Sequence, residues 1–131
     1  YTAAAIASFS FGEAVAVVDG NVFRVLARIF GADIPINTPA GKKYFFELAN
    51  SLISKDDPAT FNQAIMEFGA LQCTPKNPSC LTCVFQSACV AYKHQSQPLL
   101  PVKRAMKKSK KRYFHYYVIK TKQSLLMNPR N

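Results

Sequence analysis

Four cysteines fall in one short stretch, Cys73, Cys80, Cys83 and Cys89, with the spacing C-x6-C-x2-C-x5-C. A C-x2-C pair presents two thiolates from one tight turn, and the longer outer spacers let the other two sulfurs reach around a polynuclear centre. Structural zinc is the main rival, but zinc sites usually show two short-spaced pairs, and only the central pair is short here. Disulfides come third. Four cysteines allow three pairings, yet a Leu- and Ala-rich chain of this size buries a core without staples. The spacing places an iron–sulfur cluster slightly ahead of zinc, and both stay open.

A chain of 131 residues makes one compact domain, or one domain and the beginning of another. It opens Tyr1-Thr2-Ala3 without an initiator Met, and residues 3–11 are already helix-like, so an upstream segment is expected. No apolar run reaches the roughly 20 residues needed to cross a bilayer, and no membrane partner is expected.

Seventeen Lys and Arg against seven Asp and Glu leave a net charge of +10, a balance that suits a polyanion such as nucleic acid. The excess is concentrated in Lys103, Arg104, Lys107, Lys108, Lys110, Lys111 and Arg112, within ten residues. Such a run reads first as a solvated tether and second as a phosphate clamp.

Apolar residues in the body recur at helical spacing. Val22, Val25, Leu26, Ile29 and Phe30 form one stripe, stopped by Gly31. Phe45, Leu48, Ala49, Leu52 and Ile53 form a second after Thr38-Pro39, a cap followed by a first-turn proline. Phe61, Ala64, Ile65 and Phe68 form a third, with Asp57 as cap before Pro58. These stripes are expected to be core. Residues 73–92 wrap the cysteines in short turns, and Gln95 to Lys111 reads as connector. Tyr113, Phe114, Tyr116, Tyr117, Val118 and Ile119 are β-formers and suggest a strand, which needs a partner.

Asp19, in the segment Val18-Asp19-Gly20-Asn21, precedes the helix that carries Arg24 and Arg28. Helix capping alone explains an aspartate there, and a hairpin turn at Asp19-Gly20 conflicts with the stripe that follows.

Together, Tyr1-Thr2-Ala3, Val18-Asp19-Gly20-Asn21-Val22, Arg24-Val25-Leu26-Ala27-Arg28, Phe61-Asn62-Gln63-Ala64 and the four-cysteine loop resemble the helix-hairpin-helix DNA glycosylases, and within them the adenine DNA glycosylases. The resemblance covers most of residues 1–93. It implies a mainly α fold: a partial helical glycosylase domain over 1–72, an iron–sulfur cluster loop over 73–93, a basic linker over 94–112, and over 113–131 the first strand of a truncated C-terminal domain that reads 8-oxoguanine. It implies a [4Fe-4S] cluster on Cys73, Cys80, Cys83 and Cys89, and hydrolysis of the N-glycosidic bond of adenine mispaired with 8-oxoguanine or guanine in double-stranded DNA, as base excision repair. A monomer is expected, cytoplasmic with the nucleoid in a bacterium, nuclear or mitochondrial in a eukaryote.

The endonuclease III family shares the cysteine spacing and the aspartate, but carries a lysine nucleophile where this chain has Tyr1. Tyrosine has no amine to form a Schiff base, so the resemblance implies base removal without strand cleavage. An enzyme of this kind must extrude the base, protonate the leaving adenine and stabilise a cationic sugar. By resemblance Asp19 is the anionic stabiliser, Asn21 orients it, Tyr1 lies beside the sugar, and Gln63 meets the adenine, whose donor and acceptor edge suits an amide. Lys76, between Pro75 and Pro78, would meet the DNA backbone. The family's proton-donating glutamate lies upstream, and Glu13 lacks its motif, so this chain alone is expected to be inactive. Two readings from other classes remain: a non-enzymatic DNA-binding module with a metal-stabilised loop, and a helical scaffold with a basic tail.

Overall fold

The computed structural model describes residues 1–105, 113, 118–120 and 122–126. Three of its described helices begin at a side-chain cap. Helix α1 (Thr2–Phe11) runs to Gly12. Helix α2 (Gly20–Phe30) starts at Asp19, whose carboxylate accepts from the Val22 N–H at 2.8 Å. Helix α3 (Pro39–Leu52) is capped by the Thr38 hydroxyl, which accepts from the Gly41 N–H at 3.0 Å. Helix α4 (Pro58–Glu67) is capped by Asp57, which accepts from the Thr60 N–H at 3.1 Å. In α3 and α4 a proline fills the first turn, where its missing N–H costs nothing.

A π-helical turn, Phe68–Gln72, continues α4 toward the cysteines. The short helix α5 (Val90–Lys93) follows them. Gly31, at a left-handed φ of 66°, ends α2, and a Cβ there would strike Val90, so the bare backbone also lets α5 pack against α2.

The core forms around α2. Val22, Leu26 and Ala27 pack with Phe45 and Ala49 of α3, Ala91 of α5, Ile36 and Leu100. Phe45 is fully buried and meets Phe23 edge to face, with ring centres 5.4 Å apart.

The architecture is mainly α, as expected, but the stripes do not all end in the core. Phe30 is 45% exposed and Leu52 41%. With Ile29, Phe61, Phe68 and Phe85 they line an open apolar groove of about 400 Å³. On α4 a fully buried residue is Asn62 rather than a member of the expected stripe. Its amide donates to the Ser8 hydroxyl (2.8 Å) and the Val15 carbonyl (3.0 Å) and accepts from the Val17 N–H (2.9 Å). These three bonds draw that face of α4 toward α1 and leave Ala64 exposed.

Part of the span read as connector lies against the body. Leu100 is buried, the Val102 carbonyl accepts from the Ile36 N–H at 3.0 Å, and the Arg104 backbone exchanges two hydrogen bonds with the Asn37 side chain. Apolar Leu100 and Val102 give this stretch a reason to dock that its prolines and lysines concealed. Lys103 and Arg104 are exposed, while Lys107, Lys108, Lys110, Lys111 and Arg112 lie outside the described residues.

Of the run read as a strand, Tyr113 and Val118 are not in one, and Phe114, Tyr116 and Tyr117 lie outside the described residues. Ile119–Lys120 forms β1 and pairs antiparallel with β2, Leu125–Leu126, which supplies the partner the strand needs. Among the described residues no helix is long and apolar enough to cross a membrane.

Candidate functional site

Asp19 is held at the N-terminus of α2, where backbone N–H groups and the helix dipole favour negative charge. Its Oδ1 accepts the Val22 N–H, and its Oδ2 accepts from Asn21 Nδ2 at 2.9 Å. Asn21 Oδ1 in turn accepts from Arg24 Nη2 at 2.9 Å. Arg24 continues the chain of bonds: Nη2 donates to the Gly69 carbonyl at 2.6 Å and Nε to the Cys73 carbonyl at 2.7 Å. One line of hydrogen bonds thus runs from the Asp19 carboxylate to the first cysteine. Arg24 is 8% exposed. Burial, and after it the charge of Arg28, lowers its pKa from the ordinary arginine value, and negative charge on Cys73 and on Asp19 works against that shift.

The approach of the π turn to this line depends on a glycine. A Cβ on Gly69 would lie 2.7 Å from the Asn21 Cβ. Asn21 is bonded to the carboxylate that the sequence reading expected it to orient, and that reading missed Arg24 and Gly69. Arg24 had a signal: it is a charged residue beside an apolar stripe, three residues from Asn21.

Tyr1 is exposed and borders an open cleft together with Val18, which precedes Asp19, and with Phe23, Phe46, Lys42 and Lys43. Gln63 is exposed on α4 and donates to Glu67 Oε1 at 2.7 Å, one turn on. Glu67 was not singled out from sequence, although its i, i+4 spacing from Gln63 is the usual one for such a pair. Lys76 is exposed in a turn where the Thr74 hydroxyl donates to its carbonyl at 2.9 Å and Asn77 takes a left-handed φ of 50°.

All four cysteines are free and partly buried, and all four border one cavity with Arg28, Phe68 and Phe85. Polar hydrogens point at the sulfurs: Arg28 Nη1 lies 3.5 Å from Cys73 Sγ and Gln97 Nε2 3.9 Å from Cys80 Sγ. Burial pushes the Cys80 thiol up, and the charges of Cys73, Cys83 and Cys89 push the same way against the Gln97 hydrogen bond. Four thiols around one cavity fit a thiolate-bound cationic centre in donor type and in convergence. Among the described residues, however, no three His, Cys, Asp or Glu are grouped so as to hold a metal ion. A polynuclear centre needs its sulfurs around a shared space rather than about one point, and all four thiols border such a space.

No family model matches the chain. An adenine DNA glycosylase of Arabidopsis thaliana is 47% identical over 92 residues, which are 70% of this chain and 15% of the relative. The human adenine DNA glycosylase is 47% identical over 102 residues, 76% of this chain and 18% of the relative. A thymine/uracil-DNA glycosylase of Methanothermobacter thermautotrophicus is 36% identical over 92 residues, 70% of this chain and 41% of the relative. Among solved structures, a thermostable thymine-DNA glycosylase matches with a TM-score of 0.65 at 35% identity, over 72% of this chain and 43% of that one.

The helical body therefore has the fold of a DNA glycosylase domain. Its sequence is more specifically similar to adenine DNA glycosylases, at 35–49% identity in plant, mammalian and bacterial relatives. The chain spans less than a fifth of the length of the plant and human relatives.

Proposed function

We propose that this chain is part of a base-excision-repair adenine DNA glycosylase that hydrolyses the N-glycosidic bond of adenine opposite 8-oxoguanine or guanine, without strand cleavage, and that Cys73, Cys80, Cys83 and Cys89 hold a [4Fe-4S] cluster. The observation that carries this reading is Asp19, a carboxylate held at a helix N-terminus by two donors and next in sequence to Val18, which borders a cleft with Tyr1.

In this reading double-stranded DNA meets the exposed Lys76 turn through its backbone. Extrusion of the base brings its sugar to Tyr1 and Asp19. As the glycosidic bond breaks, positive charge develops on the sugar, and the Asp19 carboxylate stabilises it without needing to reorganise. Asn21 keeps that carboxylate oriented, and Arg24 keeps Asn21. Gln63, ordered by Glu67, offers its amide to the adenine edge. The cluster would supply cross-linking of the loop from Cys73 to Cys89 and a fixed charge at the end of the Arg24 line.

The test is single-turnover base release by the intact protein from duplexes carrying A opposite 8-oxoguanine, A opposite G, and T opposite G. Adenine release that disappears in Asp19→Asn supports the proposal. The thymine/uracil-DNA glycosylase relative makes thymine release the second reading, and preferential release of T opposite G would replace the first with it.

A further inference from the structure

Arg28 is 2% exposed, and its guanidinium is spent on the two chain segments that flank the thiol cavity. Nε donates to the Gln97 carbonyl (3.1 Å) and the Leu100 carbonyl (3.2 Å). Nη1 donates to the Thr74 carbonyl (2.7 Å), the Cys73 carbonyl (3.4 Å) and Cys73 Sγ (3.5 Å), and Nη2 to the Pro75 carbonyl (3.1 Å). The Arg28 carbonyl accepts from the Cys89 thiol at 3.4 Å. One residue thus touches the first and the last cysteine of the loop.

A buried guanidinium is costly unless an anion faces it. Among the described residues no carboxylate lies within ion-pair distance of Arg28. The atom it contacts that can carry negative charge is the Cys73 sulfur. A dicationic metal core bound by four thiolates keeps a net dianionic charge, and Arg24 and Arg28, both buried against Cys73, match that charge in number.

We propose that Arg28 is the counter-ion and positioning residue of a thiolate-bound metal centre on Cys73, Cys80, Cys83 and Cys89, an inference that rests on the cluster reading above. Carbonyl acceptors fix the guanidinium so that its charge cannot turn away from the sulfur, and the same bonds seat residues 73–75 and 97–100 on α2. Without that charge, adding an electron to the centre becomes less favourable, so the reduction potential falls. Without the bonds, the loop opens more readily and metal leaves faster.

The experiment compares the parent chain, Arg28→Gln and Arg28→Lys after anaerobic reconstitution with iron and sulfide, with circular dichroism to verify helical fold. In the glutamine variant we expect iron loss to a chelator at least about tenfold faster, the usual scale for an outer-shell partner. We also expect a potential lower by about 59 mV, which is tenfold in a one-electron equilibrium. The lysine variant keeps the charge but not the carbonyl bonds, so its potential should stay near the parent's while its iron loss is faster. Parent-like potential and iron retention in a folded glutamine variant overturn the proposal, as does a lysine variant whose potential falls as far. Should the glutamine variant fail to fold, parent-like retention in the lysine variant overturns it. A parent that takes up four irons and ignores Arg28 defeats this inference alone. A parent that takes up no metal defeats it together with the cluster reading. A parent that holds one zinc defeats the cluster reading, and Arg28 is then judged on zinc release from the same three proteins, equal rates overturning it.

Discussion

Oδ1 of Asp19 closes the first turn of α2 and Oδ2 takes the Asn21 amide, so the carboxylate is both a cap and an oriented charge. Asparagine caps helices about as well as aspartate, so Asp19→Asn keeps the cap while it removes the charge and the second oxygen that accepts from Asn21. In the intact protein we expect base release to fall by about 10²–10³, the scale seen when one preorganised electrostatic partner is lost. Thermal stability should fall by no more than the loss of that one hydrogen bond, about 1 kcal/mol. A single-turnover assay beside a melting curve checks both, and an undiminished rate would remove Asp19 from the chemistry. Asn21 is a different case, since it links two charged groups without touching the helix ladder. Asn21→Ala leaves Arg24 and Asp19 each short of a partner and should cost about 1–3 kcal/mol, read from a shifted urea midpoint at constant slope.

At the scale of elements, the starts of α2, α3 and α4 were legible because caps are local: Asp19, Thr38 and Asp57 each act on an N–H three residues ahead. The face that α4 buries was not legible, because it is chosen by Asn62 bonding to groups 45 to 54 residues away. A sequence pattern shows an asparagine among apolar neighbours and cannot show a Ser8 hydroxyl and two backbone groups waiting for it. Asn62→Ala leaves those partners buried without bonds, so we expect it to lose about 2–4 kcal/mol, more than a typical surface change. Unfolding in urea tests this, and a loss below about 1 kcal/mol would mean that water or a neighbour replaces the amide. Gly69→Ala presses on the same region from the other side. A methyl 2.7 Å from the Asn21 Cβ forces the π turn away from α2. We expect about 1–3 kcal/mol of overpacking cost, visible as a lower melting temperature. The four thiols singled out by their spacing all border one cavity, whereas the ties of Arg24 and Arg28 from α2 to that loop rest on burial and bonding.

On the scale of the whole molecule, the helical core and the cysteine loop are held by different means. Helices α2, α3 and α5 share buried apolar side chains. Between Cys73 and Cys89 the backbone hydrogen bonds are short-range turns, such as Ser79 to Gln72, Gln86 to Cys83 and Cys89 to Phe85. Longer ties come from Arg24 and Arg28 to residues 73–75, from Gln97 to Cys80, and from the edge-to-face contact of Phe85 with Phe68. The stretch beyond the Arg28 ties, which begins at the exposed Lys76, thus depends on what joins the sulfurs. If a metal centre joins them, removing it should release this loop while the helices stay folded. The expected result is trypsin cleavage after Lys76 at least about tenfold faster in metal-free chain than in metal-loaded chain, with helical circular dichroism reduced only slightly, as for a local opening rather than global unfolding. Equal cleavage rates would mean that the aromatic and arginine ties alone hold the loop. Collapse of the helical signal would mean instead that the core borrows its stability from the metal centre, a coupling that the two buried arginines of α2 make physically reasonable.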